Sequence, residues 1–350
     1  MSSTHDYALQ VENLAVEFST YGGTVKAVRN VSFKLRKGKT LAIVGESGCG
    51  KSVTVQALMG LIPTPPGRIT NGTAHLFDGA RETDLLGKTA RELNAFRGSR
   101  VGMIFQDPMS SLNPTMTIGK QIAETLIVHR GLSAQAAHAE VVQLLKLSQI
   151  PEPEKRMKQY PFEFSGGMLQ RAMIAMSIAC HPEVLIADEP TTALDVTIQA
   201  QILALLADLQ ATYGLSIILI THDLGVVARM AHDVVVMYAG QVVESGPVDD
   251  VFYRCAHPYT EGLKAAMPSN RHTDQTLHII PGSPPDLFAP PSGCAFAARC
   301  DKAMAICVRQ SPPVFGDKHQ AACWLHHAHS GESEIKRGLI ASNGALAHVD

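Results

Sequence analysis

The stretch TLAIVGESGCGKSVTVQALMG, residues 40–60, decides the fold of this chain. It begins with a short apolar run, continues through a glycine-rich loop and ends in a helical pattern that Gly60 can terminate. The loop, residues 45–52, has the spacing G-x4-G-K-S, and a strand before it with a helix after it is the context in which such a loop binds phosphates. Glycines let backbone N–H groups turn inward, and the start of the helix adds partial positive charge. We call residues 45–52 the phosphate loop. The predicted nucleotide-binding residues are Gly45, Ser47, Gly48, Cys49, Gly50, Lys51, Ser52 and Val53.

An acidic motif follows a second strand-type run, where residues 184–190 read VLIADEP. Asp188 would stand at the end of the strand and hold Mg²⁺ together with the Ser52 hydroxyl, and Glu189 would polarise the attacking water. Taken alone, these two acids could equally mark an ordinary turn at a strand end. Together with the phosphate loop they predict a site that binds and cleaves a nucleoside triphosphate.

The composition is that of an ordinary globular protein of 350 residues, of which 45% are apolar and 18% charged, with a net charge of −2. This balance gives no reason to expect nucleic-acid binding. The first residues, MSSTHDYALQVENL, lack the charged and apolar segments of a secretory signal. Apolar stretches fall short of the roughly 18–20 residues that a membrane-spanning helix needs. We therefore expect a chain that is soluble by itself and cytosolic.

Hydrophobic periodicity predicts an α/β architecture. Residues 8–36 alternate apolar and polar positions, as half-buried antiparallel strands do. Later strands alternate with a helix at 197–213, which implies a mostly parallel sheet. These later strands are predicted at 184–187, 216–220 and 233–238. A helical insertion over about 107–180 is predicted between the two strand regions. Its helices are expected at 117–130, 133–148 and 166–180.

Four further motifs resemble those of ATP-binding cassette (ABC) ATPases and stand in that family's order, over about residues 8–260. SGGMLQR at 165–171 resembles the signature motif, and Gln106 in IFQDP resembles the Q-loop glutamine. TALD at 192–195 resembles the D-loop, and His222 in ITHDL the switch histidine. The resemblance implies an ABC-type phosphate-loop ATPase with an antiparallel β subdomain, a mostly parallel core sheet and a helical subdomain. It also implies the catalytic residues Glu189, His222 and Gln106, with Gln106 as a further Mg²⁺ ligand.

The resemblance further implies a head-to-tail dimer, in which each ATP lies between the phosphate loop of one cassette and the signature motif of the other. Ser165, Gly166 and Gly167 would contact the partner's nucleotide, because a hydroxyl and glycine amides at a helix start can bind a γ-phosphate. Asp195 of the D-loop is predicted to join these nucleotide-binding residues. Tyr21 lies about where the family stacks an aromatic ring on adenine. The alternative for Tyr21 is an aromatic packed in the core of the strand region.

The end of the chain carries the marks of a narrower group. HPY at 257–259 and GCAFAARC at 293–300 resemble the C-terminal extension of oligopeptide and dipeptide importer ATPases. The GES start of the phosphate loop and Met168 in FSGGM are also similar to that group. The predicted domains are an ABC nucleotide-binding domain over 1–261, an extension with the cysteine cluster over 262–330, and a flexible tail over 331–350.

Four cysteines in this extension, with the spacing C-x5-C-x6-C-x15-C, are candidate metal ligands. Four thiolates without histidine suit a [4Fe–4S] cluster, which some members of the resembled group carry. The C-x2–4-C knuckle of structural zinc sites is missing, but zinc, free thiols and a disulfide stay open as alternatives. The candidate ligands are Cys294, Cys300, Cys307 and Cys323.

These resemblances imply the ATP- and Mg²⁺-dependent motor subunit of a bacterial ABC importer for di- and oligopeptides, peripheral at the cytoplasmic face of the inner membrane. Its partners would be a second ABC ATPase, two transmembrane permease subunits and an extracytoplasmic substrate-binding protein, with no nucleic acid. The second ATPase can be an identical chain or a different paralogous chain, and the resembled group usually uses two different ones. The same motor could serve nickel, glutathione or another small solute.

Soluble cassette ATPases that act on DNA or ribosomes are the competing class. The DNA-repair types need a long coiled coil before the signature motif, and the ribosomal types carry two cassettes in one chain. A phosphate-loop kinase would have no use for the signature motif.

Overall fold

The computed structural model describes residues 6–79, 81–192, 194–267 and 279–328. Its strands belong to two sheets, one antiparallel and one mostly parallel. In chain order the strands are β1 (Tyr7–Thr20), β2 (Gly23–Arg36), β3 (Thr40–Val44), β4 (Gly67–Asp78), β5 (Arg81–Asp84), β6 (Val101–Ile104), β7 (Val184–Asp188), β8 (Ser216–Ile220), β9 (Asp233–Tyr238), β10 (Gln241–Pro247) and β11 (Gln320–Ala321). This arrangement confirms the predicted fold class.

The antiparallel sheet has the order β2-β1-β4-β5, and the larger sheet has the order β11-β10-β9-β3-β8-β7-β6. From β9 to β6 the larger sheet is parallel, and β10 and β11 are antiparallel additions at one edge. Every residue of β3, β7 and β8 is buried, as expected for strands that are covered on both faces. The carboxyl ends of β3 and β7 therefore deliver the phosphate loop and Asp188 to one edge of the sheet.

The helices include those of the predicted helical insertion. In chain order they are α1 (Lys51–Leu58), α2 (Ala90–Leu93), α3 (Pro108–Ser111), α4 (Ile118–Arg130), α5 (Ala134–Leu147), α6 (Pro153–Arg156), α7 (Gly166–Ile178), α8 (Val196–Tyr213), α9 (Leu224–Met230), α10 (Val248–Tyr253), α11 (Pro258–Ala265) and α12 (Ala305–Arg309). Short 3-10 turns occur at Pro161–Glu163, Ala297–Arg299 and Trp324–His326. None of the helices in the described part of the chain is long and apolar enough to cross a membrane.

The C-terminal extension shares a core with the parallel sheet. Phe296 is buried in one apolar cluster with Ala42 and Val44 of β3 and with Tyr259 of α11. Strand β11 pairs with β10, so the extension also lengthens the sheet. The described part of the extension is thus packed directly against the cassette. The boundaries at 261 and 330 stay a prediction, and the predicted tail over 331–350 lies outside the described residues.

Candidate active site

The phosphate loop is held tightly by the strands around it. Gly45 has a φ of 149°, and a Cβ atom there would lie 2.2 Å from the backbone oxygen of Met237. Gly50 has a φ of 100°, and a Cβ atom there would lie 2.4 Å from the oxygen of Ala27. Both positions therefore require glycine for space as well as for backbone conformation. The result is a narrow turn between β3 and α1, with Ser47 and Gly48 exposed at its rim.

Lys51 is the buried cation of this loop. Its side chain is folded back so that Nζ donates hydrogen bonds to the backbone oxygens of Gly45, at 2.9 Å, and Glu46, at 3.0 Å. The residue is only 5% exposed. Burial raises the pKa of the neighbouring Cys49 thiol, which keeps this side chain uncharged at neutral pH. Val53, the third residue of α1, is partly buried in the apolar cluster below the loop. The loop thus offers one fixed positive charge to a bound phosphate.

Ser52 and Asp188 bring two oxygen ligands together. The Ser52 hydroxyl donates to Oδ1 of Asp188 at 2.9 Å, across the gap between α1 and the end of β7. Burial raises the pKa of the Asp188 carboxyl, and the hydrogen bond from Ser52 works in the opposite direction. A hydroxyl and a carboxylate are the oxygen ligands that Mg²⁺ prefers. The pair therefore fits the Mg²⁺ site that the sequence predicts.

The Glu189 carboxylate is the meeting point of three polar side chains. Its Oε2 atom accepts a hydrogen bond from Nε2 of Gln106 at 3.2 Å and one from the Thr192 hydroxyl at 2.8 Å. Nδ1 of His222 lies 3.5 Å from the same oxygen. Glu189 itself has a φ of 48°, a left-handed conformation that costs a non-glycine residue energy and is often kept at functional sites. Thr192 was not among the predicted site residues, and its place in the D-loop was the available signal.

The signature motif is presented to solvent on a different part of the molecule. Ser165 caps α7, and its hydroxyl accepts the Met168 N–H at 3.4 Å. Ser165 and Gly166 are exposed, and α7 packs in the core of the helical insertion rather than in the cluster below the phosphate loop. Gly167 lies against Ile198, so a Cβ atom there would be 2.9 Å from that side chain. Within the described residues, no hydrogen bond or ion pair joins residues 165–167 to the phosphate loop.

Two other predicted residues also stand open to solvent. Asp195 caps α8 by accepting the Ile198 N–H at 2.9 Å and is exposed. Tyr21, in the turn between β1 and β2, is fully exposed. An aromatic packed in a strand core was the alternative for Tyr21, and full exposure does not match it. Stacking on adenine stays a prediction.

Three residues, one inside the phosphate loop and two in contact with it, were not among the predicted site residues. Glu46 forms an ion pair with Arg299, and the Glu46 N–H donates to the hydroxyl of Tyr259. These residues lie inside the motifs GES, HPY and GCAFAARC, which in the sequence indicated only a resemblance to one group of ATPases. The joint presence of the three motifs indicated the group, but it did not predict that they contact one another.

The four candidate cysteine ligands line one small cavity of about 10 Å³, together with His257. All seven cysteines of the chain are free thiols. Burial raises the pKa of Cys294 to about 11 and that of Cys300 to about 12, so both are protonated at neutral pH. Among the residues that the structure describes, no three His, Cys, Asp or Glu side chains form a group able to hold a metal ion. Four thiols match the ligand type of a [4Fe–4S] cluster, but the cavity between them is too small to hold one in this arrangement.

Comparisons with known proteins agree with this geometry. Residues 28–192 match the ABC transporter family, and residues 243–307 match the C-terminal region of oligopeptide/dipeptide transporters. The chain is 55% identical to the oligopeptide transport ATP-binding protein OppD of Bacillus subtilis (strain 168), over 97% of this chain and 95% of that protein. It is 54% identical to the dipeptide transport ATP-binding protein DppD of the same organism, over 91% of this chain and 94% of that protein.

A solved structure extends the agreement to the fold. The dimeric, post-hydrolysis state of an ATP-binding cassette bound to ADP and Pi superposes with a TM-score of 0.61 at 25% identity. The match covers 69% of this chain and 98% of that one. The chain therefore belongs to the ATP-binding subunits of ABC transporters, in the oligopeptide/dipeptide importer family, whose members couple ATP hydrolysis to transport.

Proposed function

We propose that this chain is the ATP-hydrolysing motor subunit of a bacterial ABC importer for di- and oligopeptides. The observation that carries the proposal is the convergence of Gln106, Thr192 and His222 on one oxygen of Glu189. This carboxylate follows directly after Asp188, which contacts Ser52 of the phosphate loop. The peptide substrate is inferred from the relatives, which are oligopeptide and dipeptide transport ATP-binding proteins.

The proposed mechanism assigns one task to each part of this site. Backbone N–H groups of the phosphate loop and Nζ of Lys51 bind the phosphates of ATP. Ser52, Asp188 and Gln106 would hold Mg²⁺, which when bound offsets the charge that develops on the transferred phosphoryl group. Oε2 of Glu189 accepts a proton from the attacking water, and His222 and Gln106 keep that carboxylate oriented. Tyr21 stacks on the adenine ring.

We propose that hydrolysis needs a second cassette, a different paralogous chain, arranged head to tail with this one. Ser165, Gly166 and Gly167 would then bind the γ-phosphate held by the partner's phosphate loop, with Asp195 beside them. The exposure of this surface in the single chain supports the assignment, because a helix start with free N–H groups favours an anion. Loss of the γ-phosphate contact after hydrolysis lets the dimer reopen, which converts ATP turnover into a conformational change.

An apolar groove on the helical insertion is the proposed docking site for the two transmembrane permease subunits. The groove has a volume of about 710 Å³ and is lined by Ile127 and Val128 of α4 and by Ala134 of α5. Val128 is 67% exposed and its neighbour Ile127 is 42% exposed, so two adjoining large apolar side chains of α4 reach the surface of the groove. Docking here would hold the chain at the cytoplasmic face of the inner membrane. An extracytoplasmic binding protein would deliver the peptide from the other side.

Val128→Glu tests the docking site. A charge there should prevent co-purification with the permease subunits, while ATP binding by the isolated chain is retained. Val314→Glu is the matched control, since Val314 is 61% exposed but lies on the extension. Unchanged assembly of the Val128→Glu variant would contradict the docking proposal.

For the extension, residues 262–330, we further propose that the four thiols are ligands of a [4Fe–4S] cluster. The support is the ligand type and the fact that all four line one cavity. The cavity of about 10 Å³ has room for about one water molecule, so loading requires the thiols to move apart and to release their protons. Anaerobically purified chain should contain about four irons and absorb near roughly 400 nm. Folded, active protein without iron would contradict the cluster.

Reconstitution tests the transport function as a whole. The chain is combined in liposomes with its partner ATPase, the two permease subunits and the binding protein. Binding protein loaded with peptide should stimulate ATP hydrolysis, and the same protein incubated with Ni²⁺ or glutathione should not. If Ni²⁺ or glutathione stimulates ATP hydrolysis and peptide does not, the transported solute is that compound and not a peptide. A lack of ATP hydrolysis with every solute would contradict the motor function itself.

A further inference from the structure

We propose that Tyr259 at the start of α11 and Arg299 of the C-terminal extension set the shape and charge of the phosphate loop through Glu46, as positioning residues for ATP binding. The inference rests on the proposed ATPase function of the loop. Three motifs that first appeared only as family marks meet at this point: GES supplies Glu46, HPY supplies Tyr259 and GCAFAARC supplies Arg299.

The first contact is a two-fold ion pair. Nη1 of Arg299 lies 2.7 Å from Oε2 of Glu46, and Nη2 lies 2.9 Å from Oε1. The same guanidinium donates to the Tyr238 hydroxyl at 3.1 Å and to the backbone oxygens of Ile280 and Pro281 at 3.3 and 2.9 Å. The Arg299 side chain is only 5% exposed. The Glu46 side chain is 27% exposed, so Arg299 is the buried partner, and its two parallel hydrogen bonds fix the Glu46 carboxylate in one place.

The second contact reaches the backbone of the loop. The Glu46 N–H donates to the hydroxyl of Tyr259 at 2.8 Å. Tyr259 is fully buried, and its ring packs on Tyr238, with centroids 4.6 Å apart, and on Phe296, with centroids 5.3 Å apart. Burial raises the pKa of Tyr259, so its hydroxyl stays protonated and neutral. One rigid aromatic cluster thus determines where the first turn of the phosphate loop lies.

The charge of Glu46 gives these contacts a consequence for ATP. The backbone oxygen of Glu46 accepts a hydrogen bond from Nζ of Lys51, the cation of the loop. An unpaired carboxylate on the same residue would compete for Lys51 and repel the phosphates. Arg299 offsets that charge and turns the carboxylate toward the extension. Residues 284, 285 and 287 of the proline-rich segment line a small cavity together with Ser47 and Gly48, so the segment also lies beside the loop.

The experiment measures ATP affinity and turnover separately. The substitutions are Arg299→Met and Tyr259→Phe, and the readouts are the Kd for ATP of the isolated chain and, in the assembled transporter, KM and kcat. Arg299→Met should weaken ATP binding about tenfold and leave kcat within about threefold, because the loop rather than the catalytic carboxylate is disturbed. Tyr259→Phe should weaken it about threefold, because it removes one hydroxyl acceptor from the loop N–H.

Matched controls separate positioning from stability. Lys302→Met removes an ion pair with Glu261 on the same extension without touching the loop. Tyr253→Phe removes a hydroxyl from a tyrosine that is 80% exposed. The double variant Glu46→Gln with Arg299→Met should regain most of the lost affinity, because no unpaired carboxylate remains beside Lys51.

The inference is overturned if Arg299→Met and Tyr259→Phe bind ATP as tightly as their controls. It is equally overturned if the double variant regains nothing, since the loss would then reflect general damage to the fold. Tyr259→Phe alone decides the matter if Arg299→Met does not fold. Failure of the wild-type chain to bind ATP would instead contradict the proposed function.

Discussion

The phosphate loop and the signature motif serve the same bound nucleotide in the proposed mechanism, yet their surroundings differ. The phosphate loop is enclosed by its own chain: Lys51 is buried, and Glu46 is held by Tyr259 and by Arg299 of the C-terminal extension. The exposed Ser165 hydroxyl, in contrast, accepts a single hydrogen bond among the described residues, from the Met168 N–H of its own helix. One chain therefore completes the binding half of a site and leaves the other half open. This difference is what a motor needs if a second cassette is to close the site only when ATP is present.

The largest expected effect comes from a substitution at Glu189, in the half of the nucleotide site that this chain completes by itself. Glu189→Gln keeps the size of the side chain and can still contact Gln106 and Thr192, but its amide cannot take a proton from water. Hydrolysis by the reconstituted transporter should fall about 10²- to 10⁴-fold, while ATP binding is retained. Measurement of phosphate release together with ATP binding checks this. Hydrolysis at the wild-type rate in the variant would show that Glu189 is not the general base.

Ser165→Arg tests the open half and has the next largest effect. The long cationic side chain should block closure against the partner, so hydrolysis at the partner's phosphate loop should fall by about one to two orders of magnitude. Hydrolysis at this chain's own phosphate loop should fall less. Trapping of nucleotide at each site of the assembled pair measures both. Thr89→Arg is the control, since Thr89 also caps an exposed helix start, that of α2, by accepting the Glu92 N–H. A greater loss of hydrolysis at this chain's own phosphate loop would contradict the head-to-tail arrangement.

The two regions also differ in how far the sequence predicts them. The phosphate loop, the strand before it and the run 184–188 followed the expected pattern, because short buried strands next to a glycine loop leave a strong local signal. Strand β4 (Gly67–Asp78) was missed. Its pairing with β1 shifts register between Ala15 and Val16, whose partners Asn71 and Ile69 lie two positions apart on β4, and such a shift disturbs the simple alternation of exposed and buried residues.

Contacts between distant segments were beyond reach of sequence patterns. Glu46 and Arg299 lie 253 positions apart, and periodicity carries no information on such a pairing. Periodicity likewise does not predict which surface of the signature motif is open to a partner cassette. Exposure of Ser165 and Gly166 is visible only once α7 has been placed in the core of the helical insertion.

Two arginines show the difference between the two regions: Arg299 contacts the phosphate loop, and Arg171 holds the helix of the signature motif. Arg299 faces a carboxylate, and this contact raises its pKa. Within the described part of the chain, Arg171 on the signature helix α7 donates to neutral oxygens alone, those of Ser148, Gln149 and Gln201. Burial accordingly lowers the pKa of Arg171.

Arg171→Met removes these hydrogen bonds but fills similar space. It should lower the free energy of unfolding by about 2 kcal/mol and leave the ATP affinity of the isolated chain unchanged. Urea denaturation and ATP titration measure the two quantities. Arg229→Met, at an exposed position of α9, is the control for loss of charge alone. A drop in ATP affinity with Arg171→Met would show that the two regions are coupled within one chain.

Met168→Gln is the smallest expected change and tests whether the open half tolerates variation. Met168 uses its backbone N–H to contact Ser165, and its side chain is only partly buried against the helical core. Because any residue supplies the same N–H, the cap of α7 survives the substitution. Glutamine has nearly the length of methionine, so the packing changes little. Transport-coupled ATP hydrolysis should stay within about twofold of wild type, which steady-state assays of the reconstituted complex can resolve. A loss greater than about tenfold would mean that the Met168 side chain itself, and not only its backbone, takes part in the closed interface.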